Sequence, residues 1–420
     1  MLDFKKRCPY MEAQSNERRR LMKRGKDYRR MFFVLAIMTA ILMLVSCGPK
    51  AVKPMGEMDT PDHHVYTGLR LLDQGQYPQA QAEFDRAIQL APKFSRAFTG
   101  TALVKAYQND FPGAFKALDK AWEYANNNDE KLVVHVGYIR VYTMNKAACA
   151  RIGTDCSQDT SWLDTSKNDF DNAIAINAKY SPAYYFMGLC YKTALNFNKS
   201  GEMFAKVMEL KAEYTAEADV QWKLVQDIQR AMPGTVTGKK IALVEKLTRA
   251  DAAALFMEEM KIDVLYNKRT PKEFDTSFKD PDKAKAPGRG APAATDIAAN
   301  PLKMDIEGIL QLGVRGLEVY PDGAFHPNEF VTRGAYAMMI EDILIKVTGD
   351  NSLATKFIGS TSTFPDLRSD LPYFNAVMVV TSRGIMQAKS LSTGEFAPMD
   401  TVSGVEALLI IKKFKEELKF

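Results

Sequence analysis

From residue 61 to about residue 232 the apolar residues recur at intervals of three and four, the period of an amphipathic helix. The stretch "TGLRLLDQGQYPQAQAEFDRAIQLAP" carries Gly68, Gly75, Tyr77, Ala80, Phe84, Ala87 and Pro92, and 34 residues further on stand Asn109, Phe111, Ala114, Leu118 and Ala121. Aromatic and alanine positions therefore recur in register, and Gly75 or Asn109 marks a break between two helices of one unit. Two more copies follow in weaker form. "KLVVHVGYIRVYTMNKAAC" pairs with "WLDTSKNDFDNAIAINAKY". "SPAYYFMGLCYKTALNFNKSGEMFAKVMEL" supplies Gly188, Tyr191, Phe197, Phe204 and Leu210, with Leu195 in the turn position of Gly75. "TAEADVQWKLVQDIQRAM" reads as a closing helix, so the pattern predicts four helical hairpins and a cap.

The last third has a different period. "LEVYPDGAFHPNEFVTRGAYAMMIEDIL" recurs 71 residues later as "KSLSTGEFAPMDTVSGVEALLIIKKF", pairing Gly313, Gly323, Phe325, Pro327 and Val331 with Gly384, Gly394, Phe396, Pro398 and Val402. Upstream of each copy, Asp296 pairs with Asp366 across a one-residue slip. A half copy, "VEKLTRADAAALFMEEM", precedes both. Thr248, Thr332 and Ser403 each stand where a helix N-cap belongs. Ser403 with Glu406 predicts a full capping box, and Thr248 with Asp251 a shorter one. Arg249 and Arg333 fall in the first turn of their helices, where free N–H groups and a guanidinium predict an anion site. Gly404 stands in the third copy's place. That copy is expected to keep its fold, to tolerate an arginine there, and to bind anions poorly. Residues 266–294, rich in Pro, Lys and Ala, read as a linker inserted between the first two copies.

The chain has 420 residues and a net charge of +5. That charge is unevenly placed. Residues 1–30 hold 11 Lys/Arg and 4 Asp/Glu, and residues 31–46 form an uncharged apolar run too short to span a bilayer well. From residue 47 on, 45 basic residues face 47 acidic ones, a net of −2, which gives no support for nucleic-acid binding. The apolar run ends on Leu44-Val45-Ser46-Cys47, with Gly48 next. In an oxidising envelope Cys149 and Cys156 are spaced for a small disulfide loop, the alternative being two free thiols, and Cys190 reads as a buried thiol.

Three resemblances follow from these residues. Leu-Val-Ser-Cys after an apolar run resembles the lipobox of bacterial lipoproteins. It implies lipidation of Cys47 and removal of residues 1–46, with 47–60 as a linker; the alternative is an uncleaved anchor. The 34-residue unit over 61–232 resembles the tetratricopeptide repeat (TPR), implying a mainly α chain with an α-solenoid that binds protein partners in its groove. Residues 236–420 resemble the S-layer homology (SLH) domain through "VTRGA", "LTRADA" and the Asp-Gly-x-Phe-x-Pro segment. The division is a half repeat over 241–264 and repeats over 295–347 and 363–416. That family forms an α-helical pseudo-trimeric module that binds anionic cell-wall polysaccharide without catalysis. By the resemblance, Arg249, Arg333, Thr248 and Thr332 are the glycan contacts.

The four histidines, His63, His64, His135 and His326, lack ligand neighbours at zinc spacing, and His63-His64 read as part of a solvated linker. No nucleophile elbow, phosphate loop or paired acid–base carboxylate stands out, so no metal, cofactor or catalytic residue is expected. The expected protein is a non-catalytic envelope lipoprotein holding membrane and wall polymer. In a cell with two membranes, the absence of aspartate after Cys47 points to the outer one. Two alternatives stay open: an adaptor that addresses a protein complex to the envelope, and a wall-modifying enzyme.

Overall fold

The structure, a computed structural model, describes residues 51–152, 161–269 and 294–418. The lipidation site Cys47, the leader 1–46, Cys156 and most of the 266–294 insertion lie outside the described residues. Among these, helices are the only regular elements apart from isolated bridges, and none is long and apolar enough to cross a membrane. The chain divides into two compact units, up to Trp222 and from Lys223.

The first unit is the α-solenoid. Its hairpins are α1 (Pro61–Asp73) with α2 (Tyr77–Leu90), α3 (Ser95–Tyr107) with α4 (Phe111–Tyr124), α5 (Asn128–Ile152) with α6 (Ser161–Ile176), and α7 (Ser181–Thr193) with α8 (Phe197–Leu210). Each pair packs together and onto the first helix of the next pair, and α9 (Thr215–Ala231) follows. The tight turns need a left-handed residue, which Gly75, Asn109 and Leu195 supply at φ 73°, 63° and 57°. Ala80, Ala114, Phe84 and Phe204 are fully buried. A Cβ on Gly68 would come within 2.6 Å of the Phe84 ring, and one on Gly188 within 2.6 Å of Phe204. The repeated glycine therefore exists to seat the repeated phenylalanine. Burying one such ring stabilises by about 1.5–3 kcal/mol.

Two cysteine readings can be followed here. Cys190 is a free, buried thiol whose pKa burial pushes up to about 11. Cys149 is disulfide-bonded. The histidine reading needs correction: His63 and His64 lie within α1, and His64 contacts two carboxylates. Thr60 caps that helix by accepting the His63 N–H, so the helix begins before the histidines.

The second unit is built from three unequal copies. The first has α10 (Val236–Ile241), α11 (Arg249–Ala254) running into a π-helical turn (Leu255–Met260), and α12 (Ile262–Arg269). The second has α13 (Lys303–Leu312) and α14 (Arg333–Thr348). The third has α15 (Phe374–Ser382) and α16 (Gly404–Glu417). At the centre the strand-like residues before α11, α14 and α16 close a ring of backbone hydrogen bonds. Leu247 N–H donates to Val402 O at 2.7 Å, Val402 N–H to Val331 O at 3.0 Å, and Val331 N–H to Leu247 O at 2.8 Å. All three side chains are buried. The ring satisfies backbone groups that burial would otherwise leave unpaired, and it makes the pseudo-threefold axis a hydrogen-bonded feature.

The junction between units falls inside α9, ten residues before the sequence expectation. The end of α9 belongs with the second unit, where the Lys412 Nζ donates to Arg230 O at 2.6 Å.

Candidate functional site

Each copy opens its second helix with a hydroxyl cap. Thr248 Oγ1 accepts from Asp251 N–H at 3.1 Å, Thr332 Oγ1 from Ala335 N–H at 3.2 Å, and Ser403 Oγ from Glu406 N–H at 3.3 Å. Asp251 completes a reciprocal box by accepting the Thr248 N–H at 3.0 Å. The Ser403–Glu406 box is not reciprocal. Instead the Glu406 carboxylate pairs with the Arg333 guanidinium. The shorter box expected at Thr248–Asp251 forms, and the full box expected at Ser403–Glu406 does not close, because a buried arginine competes for the Glu406 carboxylate.

The arginines also differ from the exposed anion contacts that their helix position suggested. Arg249 is 6% and Arg333 3% exposed. Arg249 donates from Nε to Phe325 O (2.9 Å), from Nη1 to Gly316 O (2.6 Å) and from Nη2 to Glu318 O (2.8 Å). Arg333 donates from Nε to Phe396 O (2.7 Å) and from Nη2 to Gln387 O (2.6 Å). Both guanidinium planes lie against the phenylalanine of the next copy, at 4.8 Å from the Phe325 centroid and 4.6 Å from that of Phe396. The first-turn N–H groups are taken as well: Arg249 N–H by Glu329 O, Ala250 N–H by Pro327 O, Arg333 N–H by Asp400 O and Gly334 N–H by Pro398 O. Each arginine is a staple from one copy to the loop of the next. Thr248 and Thr332 serve as caps.

The third position explains itself by the same geometry. A Cβ on Gly404 would collide with the Ile241 carbonyl, and Gly404 N–H donates to Val244 O at 2.9 Å. The first copy lacks the opening half that an arginine would staple, so α10 closes directly on Gly404. Tolerance of an arginine there was the sequence expectation, and the structure overturns it.

The paired aspartates have a shared job. Asp296 accepts from Phe325 N–H and His326 N–H, both at 2.8 Å. Asp366 accepts from Phe396 N–H at 2.9 Å and Ala397 N–H at 2.7 Å. His326 and Ala397 both have positive φ, at 53° and 54°. Burial works against the Asp296 charge, yet the two N–H donors hold its pKa below the ordinary value.

What remains open to a ligand is a cleft of about 650 Å³ between the loop Gly384–Lys389 and α16, with Arg333 and Glu406 at one side. Leu409 and Ile410 give it an apolar wall, and five basic side chains face it against two acidic ones. The basic set is Arg230, Arg333, Lys389, Lys412 and Lys413. Arg333 is held by Glu406, Lys413 by Glu416 at 2.8 Å, and Lys389 by Asp400. Arg230 and Lys413 are exposed at the mouth. Sequence reading missed this group because "IKKFKEELKF" looks like an ordinary solvated helix face. Only the 71-residue register that brings loop 384–389 beside α16 could have singled it out. Among the described residues no group of histidines, cysteines and carboxylates could hold a metal ion.

A family model for the S-layer homology domain matches residues 317–337. That stretch contains the Phe325 loop, the cap Thr332 and the staple Arg333. No curated protein matches the chain. Among solved structures, the chain is similar to one described as "Crystal structure of YrrB: a TPR protein with an unusual peptide-binding site". The identity is 15%, with 43% of this chain and 94% of that chain covered and a TM-score of 0.18. At that score the likeness adds nothing to the solenoid, which rests on its own paired helices. The chain thus combines a TPR-like α-solenoid with a helical unit that resembles SLH repeats.

Proposed function

We propose that this protein is a non-catalytic envelope protein that binds an anionic cell-wall glycan through its second unit. Membrane attachment is through a lipid on Cys47. The first unit serves as a scaffold for a protein partner. The observation that carries the reading is the basic cleft beside Arg333, next to the stretch that resembles SLH. An apolar wall for sugar faces, backbone groups of loop 384–389 and a surplus of positive charge suit a polysaccharide bearing carboxylate or phosphate. Arg333 acts as a positioning residue through its bond to Gln387 O in the cleft loop, whereas Arg249 fixes the 316–325 loop, which does not line the cleft. Two carboxylates line the cleft, and each is engaged by a cation: Glu406 by Arg333 and Glu416 by Lys413.

The adaptor reading shares the same cleft and differs in what the solenoid carries. Co-sedimentation of the whole chain with isolated wall sacculi tests the glycan reading. Binding that weakens with salt supports it, and absence of binding in low salt sinks it. Release of soluble sugar fragments would favour a wall-modifying enzyme instead. Anchoring is tested separately: Cys47→Ser should abolish lipid labelling, and a labelled variant would refute the lipid assignment. Under this reading the protein resides in the envelope, at the outer membrane in a cell that has one.

A further inference from the structure

The solenoid carries a charge cluster that the glycan reading does not use. His64, in the first turns of α1, has 16% of its side chain exposed. Its Nδ1 lies 2.6 Å from Glu83 Oε2 on α2, and its Nε2 lies 2.8 Å from Asp59 Oδ1 in the segment before α1. Asp59 in turn accepts from Arg86 Nε at 3.0 Å, pairs with Arg86 Nη2, and accepts the Met55 N–H at 2.6 Å. Further up the segment, Val52 N–H donates to Gln89 O at 2.8 Å. Residues 51–59 are thus laid on the first hairpin and held there at Val52 and at Asp59, whose carboxylate meets both His64 and Arg86.

The chemistry of the ring decides its state. A neutral imidazole has one N–H donor and one lone pair. With a carboxylate oxygen at hydrogen-bond distance from each nitrogen, only the imidazolium satisfies both. In the neutral form a nitrogen lone pair would face a carboxylate oxygen. We propose that His64 is a proton-operated latch: its imidazolium holds residues 51–59 on the first hairpin, and its neutral form loosens them.

Burial opposes the charge, but Glu83 and Asp59 outweigh it and raise the imidazole pKa above its ordinary value. A raised histidine pKa contributes stability that is full below about 6.5 and lost as pH rises through the folded value. The groups that face the cluster are Asp59 from the segment, Glu83 and Arg86 from α2, and His63 on α1, whose ring centroid is 5.8 Å away. Asp62 on α1 is engaged elsewhere, by Arg96 of α3 at 3.6 Å. Arg86 does not titrate in this range, so it keeps Asp59 charged while His64 changes state. Loosened, the nine residues could reach about 30 Å from the hairpin. The latch would therefore set how far the solenoid stands from whatever holds the chain upstream, whether or not that is a lipid.

The test is hydrogen exchange followed by mass spectrometry on the whole chain between pH 5.5 and 8.5, corrected for the intrinsic pH dependence of exchange. Residues 51–60 are expected to lose protection ~10-fold or more across the titration while α2 and α3 stay unchanged, as local opening below the global unfolding energy allows. His64→Gln should abolish the step and leave 51–60 poorly protected throughout. Glu83→Gln should move the step to lower pH, because one carboxylate that favours the imidazolium is gone. Flat protection in the parent protein, or an unchanged step in His64→Gln, would overturn the latch.

Discussion

The Arg333 guanidinium lies 4.6 Å from the Phe396 ring centroid and donates its Nε to that same residue's carbonyl at 2.7 Å. One side chain thus grips both faces of the next copy's loop, its apolar ring and its backbone. Arg249 repeats the grip on Phe325. The residues that look most like ligand contacts in the sequence hold the module together.

Removing a staple should therefore unfold before it unbinds. Arg333→Ala leaves the Glu406 carboxylate without its buried partner and two carbonyls without donors. Glu406 is partly exposed and can be rehydrated, so the cost is that of the lost charge-assisted hydrogen bonds, about 1.5–3 kcal/mol. Calorimetry should show the transition of the second unit falling while the solenoid transition stays in place. Arg333→Lys should recover little, since an ammonium cannot reproduce the fork that reaches two carbonyls and Glu406. A variant of normal stability would return Arg333 to the ligand-contact role.

Gly404 should resist any side chain. The atom in its way is the Ile241 backbone carbonyl oxygen, which cannot rotate aside. Gly404→Ala is expected to cost at least about 3 kcal/mol, at or beyond the upper end for overpacking. Gly404→Arg should prevent the second unit from folding. Unchanged denaturant midpoints would mean that α10 does not close on the third copy as described.

The aspartate clamps should show in acid. Asp296 has a lowered pKa in the folded chain, so its contribution is present above the unfolded carboxylate value near 4 and fades as pH falls through the folded one. Asp296→Ala leaves two N–H donors unpaired, a loss of about 1–3 kcal/mol. It should flatten the acid limb of the stability profile. An acid limb as steep as the parent's would assign that limb to other carboxylates.

In the solenoid, Ala80→Phe forces a ring into a fully buried site between α1 and α2. Overpacking there is expected to cost about 1–3 kcal/mol and to lower Tm with helical circular dichroism retained below it. A neutral result would count against the tight hairpin.

Much of this architecture was legible in the chain. Gly68 and Phe84, Asp296 and Asp366, and the three hydroxyl caps each carry a local rule with a fixed spacing, and the fold obeys those spacings. The site was less legible, because burial is not written in spacing. "LTR" and "VTR" announce a first-turn arginine, but only the loop that arrives from 76 and 63 residues later, at Phe325 and Phe396, shows that its donors are taken. The lysines of α16 were hidden for the opposite reason: their charge lies on an exposed face and becomes a cleft wall only beside loop 384–389. His64 was misread because a pair of histidines near the start of a chain gives no hint of the carboxylates that two other segments bring to it.

The most direct test of the glycan reading is the affinity of the whole chain for purified anionic wall polysaccharide, compared with the double variant Lys412→Glu/Lys413→Glu. Lys413 is exposed, and Lys412 is half-buried and donates to Arg230 O, so the stability read from the melting curve should fall by no more than one hydrogen bond, about 0.5–1.5 kcal/mol. Reversing two charges at the cleft is expected to weaken binding ~10-fold or more, about 1.4 kcal/mol, with the difference shrinking in high salt. Undiminished affinity in a folded double variant would contradict the assignment of this cleft as the glycan site.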